Sequence, residues 1–385
     1  MVSGIDVLMR VATFGLLVML TACGTSPGRL QKVVKRDVRL QQDRTTINVP
    51  GDKDFSLSVH YSGCGGLYFL KGNDAIYIDP FFSNQKVMKI GSSLIGGGVR
   101  GRKKIKSDRR MINYGISRLE KQTGSLDTQL RAIFSAHSHY DHLMDIPAIV
   151  QQIKNKPPVF LSESGFNTCY NVLDTAKMVQ LEDHMSTHQR TGTPIELAIT
   201  NGRILVYPIL AEHNPHLKHV KFFSGSQQEP VEHFTDPFGK TRANDWLEGN
   251  TFSFLIDYLN DEGEIDFRLF IQSSSCNPMA GVPPSDLLSK KSVDIAFLGV
   301  VSYQFSPAYP CTLLSKLNES NHEVKPEIVW IHWEDFFRKY NRKPKTVRGT
   351  DIAAFFDLSC VAPYKKNSWV PWPGVTYDIT TKPLK

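Results

Sequence analysis

From about residue 52 onward the pattern is mixed, with short apolar runs broken by turn residues that predict strands, and helical spacing between them. SLSVHY (56–61), GLYFL (66–70) and AIYID (75–79) read as strands separated by Gly and Asn turns. AIFSA (132–136) and PVFLS (158–162) are further strands, and DHLMDIPAIVQQI (141–153) has helical spacing with a bend near Pro147. IELAIT (195–200) and RILVYPIL (203–210) flank Asn201-Gly202, a strong hairpin signal. TFSFLIDYL (251–259) and DFRLFIQ (266–272) flank the polar loop NDEGE and form a second hairpin. VDIAFLGV (293–300) and EIVWIH (327–332) are buried strands, and TDIAAFFDLS (350–359) is helical. No repeat, low-complexity tract or inter-domain linker interrupts this region. Residues 52–385 are expected to form one α/β domain, with two layers of strands between outer helices.

The amino terminus follows a different pattern. VATFGLLVML (11–20) is a ten-residue apolar run behind Arg10, too short to span a bilayer as a helix. Small residues follow it, which is the layout of a secretory signal. Leu20-Thr21-Ala22-Cys23 resembles a bacterial lipoprotein lipobox. That resemblance implies a signal peptide over residues 1–22, cleavage before Cys23 and lipidation of its thiol, palmitate included. Gly24 in place of Asp resembles the outer-membrane pattern, so the expected location is the cell envelope, facing the periplasm. Residues 23–51 read as a lipid-anchored basic tether, with a basic interfacial helix over 29–42 as the alternative.

Charge sharpens this picture. The 385 residues carry 45 Lys+Arg against 38 Asp+Glu, a formal net charge of +7. RGRKKIKSDRR (100–110) is locally +6 and residues 29–44 are locally +4, which leaves the rest of the chain at −3. The body is therefore not basic, and nucleic acid is disfavoured as a partner. A small-molecule or lipid-like substrate fits better, with the membrane reached through the lipid anchor. The run at 100–110, behind Gly96-Gly97-Gly98, is expected as a cationic loop near the mouth of a site. Hydrophobic residues at 41% and charged residues at 22% exclude wholesale disorder and a polytopic membrane chain. Without Cys23 five cysteines remain, Cys64, Cys169, Cys276, Cys311 and Cys360, so at least one thiol is unpaired within the chain. There is no CxxC, no GxSxG and no GxxxxGK[ST].

The chemistry concentrates in Ser135-Ala136-His137-Ser138-His139-Tyr140-Asp141-His142. Three of the chain's 12 His residues and one Asp lie within six positions after a predicted strand. Alternation puts His137 and His139 on one side, and the turn into a helix brings Asp141 and His142 beside them. Neutral imidazole and carboxylate suit Zn²⁺, one ion or two, with Fe or Mn as alternatives.

This HxHxDH signature resembles that of the metallo-β-lactamase-fold hydrolases, and the resemblance covers most of residues 56–380. It implies a four-layer αββα sandwich. Ala75–Phe82, with Asp79-Pro80, looks like the superfamily's early Asp-Pro strand, while Glu212-His213-Asn214 and Trp330-Ile331-His332-Trp333 stand where it places its later histidines. These features look most like the branch of phospholipase D-type N-acylphosphatidylethanolamine hydrolases and ascorbate-6-phosphate lactonases. Carried over, His137, His139 and His213 bind a first metal, and Asp141, His142 and His332 a second. His216 and His219 compete for the place of His213.

Two departures stand out. The family's bridging Asp falls on Ser273 in Gln272-Ser273-Ser274-Ser275-Cys276, and Gly63-Cys64 stands where the related branch often has Gly-His. Three consequences stay open for the first: one tight metal with a weak second, Cys276 entering as a soft substitute ligand, or a degenerate site that binds metal or ligand without turnover. For Cys64 a small buried residue is the leading expectation. The implied activity is metal-dependent hydrolysis by an activated water, with Asp141 as general base where the second metal is absent.

Replacing Cys23 by Ser is expected to release the protein from the membrane fraction of lysed cells; unchanged fractionation would refute lipidation.

Overall fold

The computed structural model describes residues 39–51, 53–95, 104–186, 189–216, 220–319, 325–347 and 350–382. The strands are β1 (Arg39–Gln41), β2 (Thr45–Pro50), β3 (Ser56–Gly63), β4 (Gly66–Lys71), β5 (Asp74–Ile78), β6 (Leu130–Phe134), β7 (Val159–Leu161) and β8 (Met178–Gln180). They continue as β9 (Ile195–Ile199), β10 (Gly202–Ala211), β11 (Thr251–Leu259), β12 (Ile265–Gln272), β13 (Ile295–Gly299), β14 (Glu327–Ile331), β15 (Ser368–Pro371) and β16 (Val375–Lys382). Two eight-stranded mixed sheets result, ordered β1-β15-β14-β13-β12-β11-β10-β9 and β2-β16-β3-β4-β5-β6-β7-β8.

The period-two pattern explains the layering. Leu67, Phe69, Ile76, Ile78, Ala132 and Phe134 face the opposite sheet, where Phe252, Phe254, Leu269, Ile271, Val329 and Ile331 meet them. The alternate positions, Tyr68, Ala75, Tyr77 and Ile133, turn outward under the helices Val87–Ile95, Arg109–Thr123 and Ile146–Gln152. On the other sheet Leu255, Phe270, Ile328 and Trp330 turn outward under Ser285–Lys290, Ala308–Leu317 and Ile352–Phe356. Strands buried on both faces thus lie between two helical layers, the αββα sandwich expected from sequence.

The fold begins earlier than expected. Within the segment read as a tether, Thr45–Pro50 pairs parallel with β16, and Arg39–Gln41 pairs with β15. The tether therefore does not extend to residue 51: Ile47 and Val49 alternate with polar neighbours and are buried against the inter-sheet core. Cys23 and residues 1–38 lie outside the described residues. The two carboxy-terminal strands had no counterpart in the sequence reading, although Val375, Tyr377 and Ile379 alternate with Thr376, Asp378 and Thr380 and bury one face. The segment 141–153 forms two helices, Tyr140–Leu143 and Ile146–Gln152, with Pro147 in the first turn of the second. Of the basic run, residues 104–110 are described. Ile105 bridges to Thr241, and Asp108 caps the helix that starts at Arg109. Cys311 and Cys360 form a disulfide, and Cys64, Cys169 and Cys276 are free and buried.

One ion pair is sealed inside the sandwich. Arg268 on β12 faces Asp257 on β11 and binds it bidentately at 2.6 and 2.7 Å, and its other guanidinium nitrogen donates to the carbonyls of Leu287 and Lys291. Both side chains are almost fully buried. Arg268→Met leaves Asp257 buried without a partner and is expected to destabilise the fold by ~3–5 kcal/mol in urea unfolding, whereas Arg268→Met/Asp257→Leu should recover most of that loss.

Candidate metal centre

Strand direction brings the site together. β5, β6 and β7 are parallel, as are β12, β13 and β14, while β3 and β10 reach the same direction through two antiparallel steps. The carboxyl ends of β3, β5, β6, β10, β12 and β14 consequently open on one edge. Cys64, Asp79, His137 to His142, His213, Ser273 and His332 all follow these ends in sequence.

Two groups of buried donors result. The first holds His137, His139 and His213, and the second holds Cys64, Asp141 and His332, the donor atoms in each group lying within 4.8 Å of one another. His137 Nε2 and His139 Nδ1 are 3.0 Å apart, while His137 Nδ1, His139 Nε2 and His332 Nδ1 are buried without a hydrogen-bond partner. His213 donates from Nδ1 to the Asn214 carbonyl at 2.7 Å, which leaves Nε2 available. His216 stacks on His213 at 4.8 Å between ring centroids and its Nδ1 accepts the Phe222 N–H, but it is His213 whose donor atom groups with those of His137 and His139. His219 lies outside the described residues.

His142 sits between the groups, its ring 4.1 Å from that of His137 and 5.4 Å from that of His332. It donates from Nδ1 to Asp79 Oδ2 at 2.9 Å. Its Nε2 lies 3.3 Å from the Ser274 hydroxyl and 3.9 Å from Asp141 Oδ2. It is thus adjacent to Asp141 and His332, and the donor that completes their group is Cys64. Cys64 Sγ donates to Asp141 Oδ2 at 3.7 Å and lies 3.8 Å from His332 Nε2.

Cys64 is the functional candidate that sequence reasoning assigned to packing. The available signal was its place, in Gly63-Cys64, where the related branch often carries His. Cys276 is not brought into either donor group: its backbone pairs with His213, its Sγ donates to the Ser274 carbonyl at 3.4 Å, and the side chain packs in the outer apolar cluster. Ser273 stands at the end of β12 beside Gly65 and His142, with its hydroxyl buried and unpartnered.

Surrounding groups hold these side chains in place. Tyr61 OH donates to Glu334 Oε2 at 2.7 Å and accepts the His332 N–H at 2.8 Å, and Glu334 Oε1 accepts the Cys64 N–H. Cys64, Asp79 and His332 all have left-handed backbones, with φ of 54°, 46° and 54°. Each such residue costs about 1–3 kcal/mol, and clusters of them mark functional sites.

The electrostatics suit a cation. Burial first, and neighbouring imidazoles next, push His137, His139, His213 and His332 well below the ordinary histidine value, so these rings are neutral and ready to donate lone pairs. Burial opposes a charge on His142 too, but the attraction and hydrogen bond of Asp79 outweigh it and raise that ring's pKa. Burial raises Asp141 and, with the charges of Asp141 and Glu334, keeps the Cys64 thiol protonated in the absence of a cation. Neutral imidazoles, unpartnered buried nitrogens, a carboxylate and a thiol together fit a divalent metal ion.

A cleft of about 1050 Å³ opens over His139, Asp141, His213 and His332, walled by apolar side chains including Ile90, Phe222, Phe223 and Phe336. Neither Lys nor Arg lines it among the described residues, so residues 104–110 of the basic run do not reach this mouth as expected.

No family model matches the chain, and no curated protein does. Solved structures with similarity to it include Igni18, a metallo hydrolase from the archaeon Ignicoccus hospitalis, at 12% identity over 84% of this chain and 98% of that one, with a TM-score of 0.43. An isothiocyanate hydrolase from Delia radicum gut bacteria matches at 11% identity over 84% of this chain and 98% of that one, with a TM-score of 0.39. The class B3 di-zinc metallo-β-lactamase LRA-12 from an Alaskan soil metagenome matches at 11% identity over 84% of this chain and 95% of that one, with a TM-score of 0.31. At such low similarity, the chemistry has to be read from the side chains themselves.

Cobalt(II)-loaded protein is expected to show a near-ultraviolet thiolate charge-transfer band that Cys64→Ser abolishes and Cys276→Ser leaves intact. A band insensitive to Cys64 would remove that residue from the ligand set.

Proposed function

We propose that the protein is a metal-dependent hydrolase, with zinc, one ion or two, as its metal. The observation that carries this reading is the pair of adjacent donor groups on one sheet edge, at the floor of an apolar cleft. An ion held there supplies an activated water at neutral pH. Asp141 lines the cleft and belongs to the second donor group; with that group holding no metal, it would serve as the general base toward the attacking water. Asp79 orients His142, and Glu334 with Tyr61 orients Cys64 and His332. The phenylalanine walls exclude bulk water and accommodate the apolar part of a substrate, which supports a lipid-like ester or phosphodiester over a small charged one. A place in the branch of phospholipase D-type N-acylphosphatidylethanolamine hydrolases and ascorbate-6-phosphate lactonases, lipid anchoring at Cys23 and action at the bacterial envelope belong to the same proposal and rest on the sequence resemblances.

Ser273 favours a second reading. Its neutral hydroxyl stands where the related family has a bridging carboxylate, and a site without that charge suits metal or ligand binding without turnover.

Metal analysis of the purified full chain, combined with a screen of the metal-loaded protein on phosphodiesters, lactones and thioesters, separates the readings. The hydrolase is expected to carry roughly one to two metal equivalents, to lose them with His139→Ala, and to lose activity ~10²–10⁴-fold with Asp141→Asn. Ser273→Asp is expected to raise metal content. Absence of stoichiometric metal sinks the hydrolase reading, and metal without activity on any substrate class leaves the binding protein.

A further inference from the structure

A second cleft, of about 660 Å³, has Cys64 in its lining and shares no lining residue with the apolar cleft. Its lining includes Gly63, Cys64 and Glu334, but its character is cationic: Arg118, Arg338, Lys339, Arg342 and Lys343 converge on it. Glu334 and Asp335 are its only carboxylates among the described lining residues, and Glu334 already accepts from Tyr61 and the Cys64 N–H. None of the five cationic side chains forms an ion pair or hydrogen bond with a described residue, and the Arg338 Nε is buried without a partner. The phenol of Tyr340, which also lines the cleft, is likewise buried and unpartnered.

Arg118 is held in place rather than simply solvated. Its guanidinium rests against Gly374, where a Cβ would come within 2.7 Å of Nη1, and the φ of +79° at that glycine disfavours a side chain there as well. Unpaired guanidinium groups and amines that converge on a concave wall, beside an unpartnered phenol, match an oxyanion with several acceptor oxygens. Arginine forks suit the spacing of phosphate oxygens in particular.

We propose that this cationic cleft is a binding site for a phosphate ester anion, separate from the apolar cleft over the metal centre. The Cys64 backbone and Glu334 form part of the wall, so an anion bound there lies next to the groups that hold Cys64 and His332. The site is defined by its own cations and does not depend on whether the metal centre turns over substrate.

Titration of the full chain with inorganic phosphate at constant ionic strength tests this. Calorimetry is one readout, and the fluorescence of Trp372, which lines the cleft, is another. Saturable binding is expected. It should weaken at least tenfold in Arg118→Met and in Arg342→Glu/Lys343→Glu, the latter on an exposed turn, with unfolding midpoints unchanged, and it should persist in His139→Ala. No saturable binding, equal binding in all variants, or loss in His139→Ala alone would overturn the proposal. Displacement of phosphate by glycerol 3-phosphate identifies a soluble ester as the ligand. Displacement by vesicles containing phosphatidic acid, and not by phosphatidylcholine vesicles, identifies a lipid headgroup. Failure of both competitors rejects a phosphate ester.

Discussion

The carboxylate of Asp79 ties the histidine-rich loop of the candidate metal centre to the sheet. One oxygen accepts the Ala136 N–H at 2.7 Å and so fixes the start of the histidine-rich loop, while the other accepts from His142 Nδ1 and fixes that ring. Asp79 itself follows β5, and its own N–H donates to the Phe134 carbonyl at the end of β6. Two neighbouring parallel strands and the loop that carries His137, His139, Asp141 and His142 are thereby locked in one frame. A carboxylate bonded to one imidazole nitrogen sets the ring's tautomer and the aim of its other nitrogen, and here one side chain does this while also holding the loop's backbone.

Around that frame the environments diverge. The donors open into a cleft of phenylalanine and aliphatic side chains, while Cys64 lines a second cleft of unpaired arginines and lysines. The Tyr61–Glu334 pair sits at the junction, bonded to the backbones of both Cys64 and His332. Charge and apolar surface are separated by a few buried side chains, so the second donor group faces two chemically different spaces.

The rigidity needed for this arrangement comes from the sandwich. The left-handed residues Cys64, Asp79 and His332 each directly follow a strand whose last residues are buried. The strain falls where chain direction changes, at the edge the two sheets share. The buried pair of Arg268 and Asp257 lies in the adjacent hairpin and fixes its register against the outer helices.

Much of the fold was legible because alternation is a local property. Phe252 and Phe254, separated by Ser253, declare their strand and its inward face, while the continuous apolar run Ile328–Ile331 declares a strand buried on both faces. The histidine-rich loop was legible for the same reason, since its donors are neighbours in sequence. The strands at residues 45–50 and 375–382 were harder to read, because each is completed by a partner more than three hundred residues away. The basic run showed its charge but not its place, which the Ile105–Thr241 bridge and the Asp108 cap decide.

The cysteines show where local reading ends. The sequence by itself determined that a thiol stood near each end of the prospective site, at residues 64 and 276. Only the tertiary structure distinguishes them, by where each sulfur points. The left-handed turn after β3 brings Cys64 to Asp141 and His332, while the pairing of Cys276 with His213 directs its thiol to a carbonyl and the apolar cluster. The cationic cleft has the same origin: Arg118 and residues 338–343 are distant in sequence and meet only once the sandwich closes.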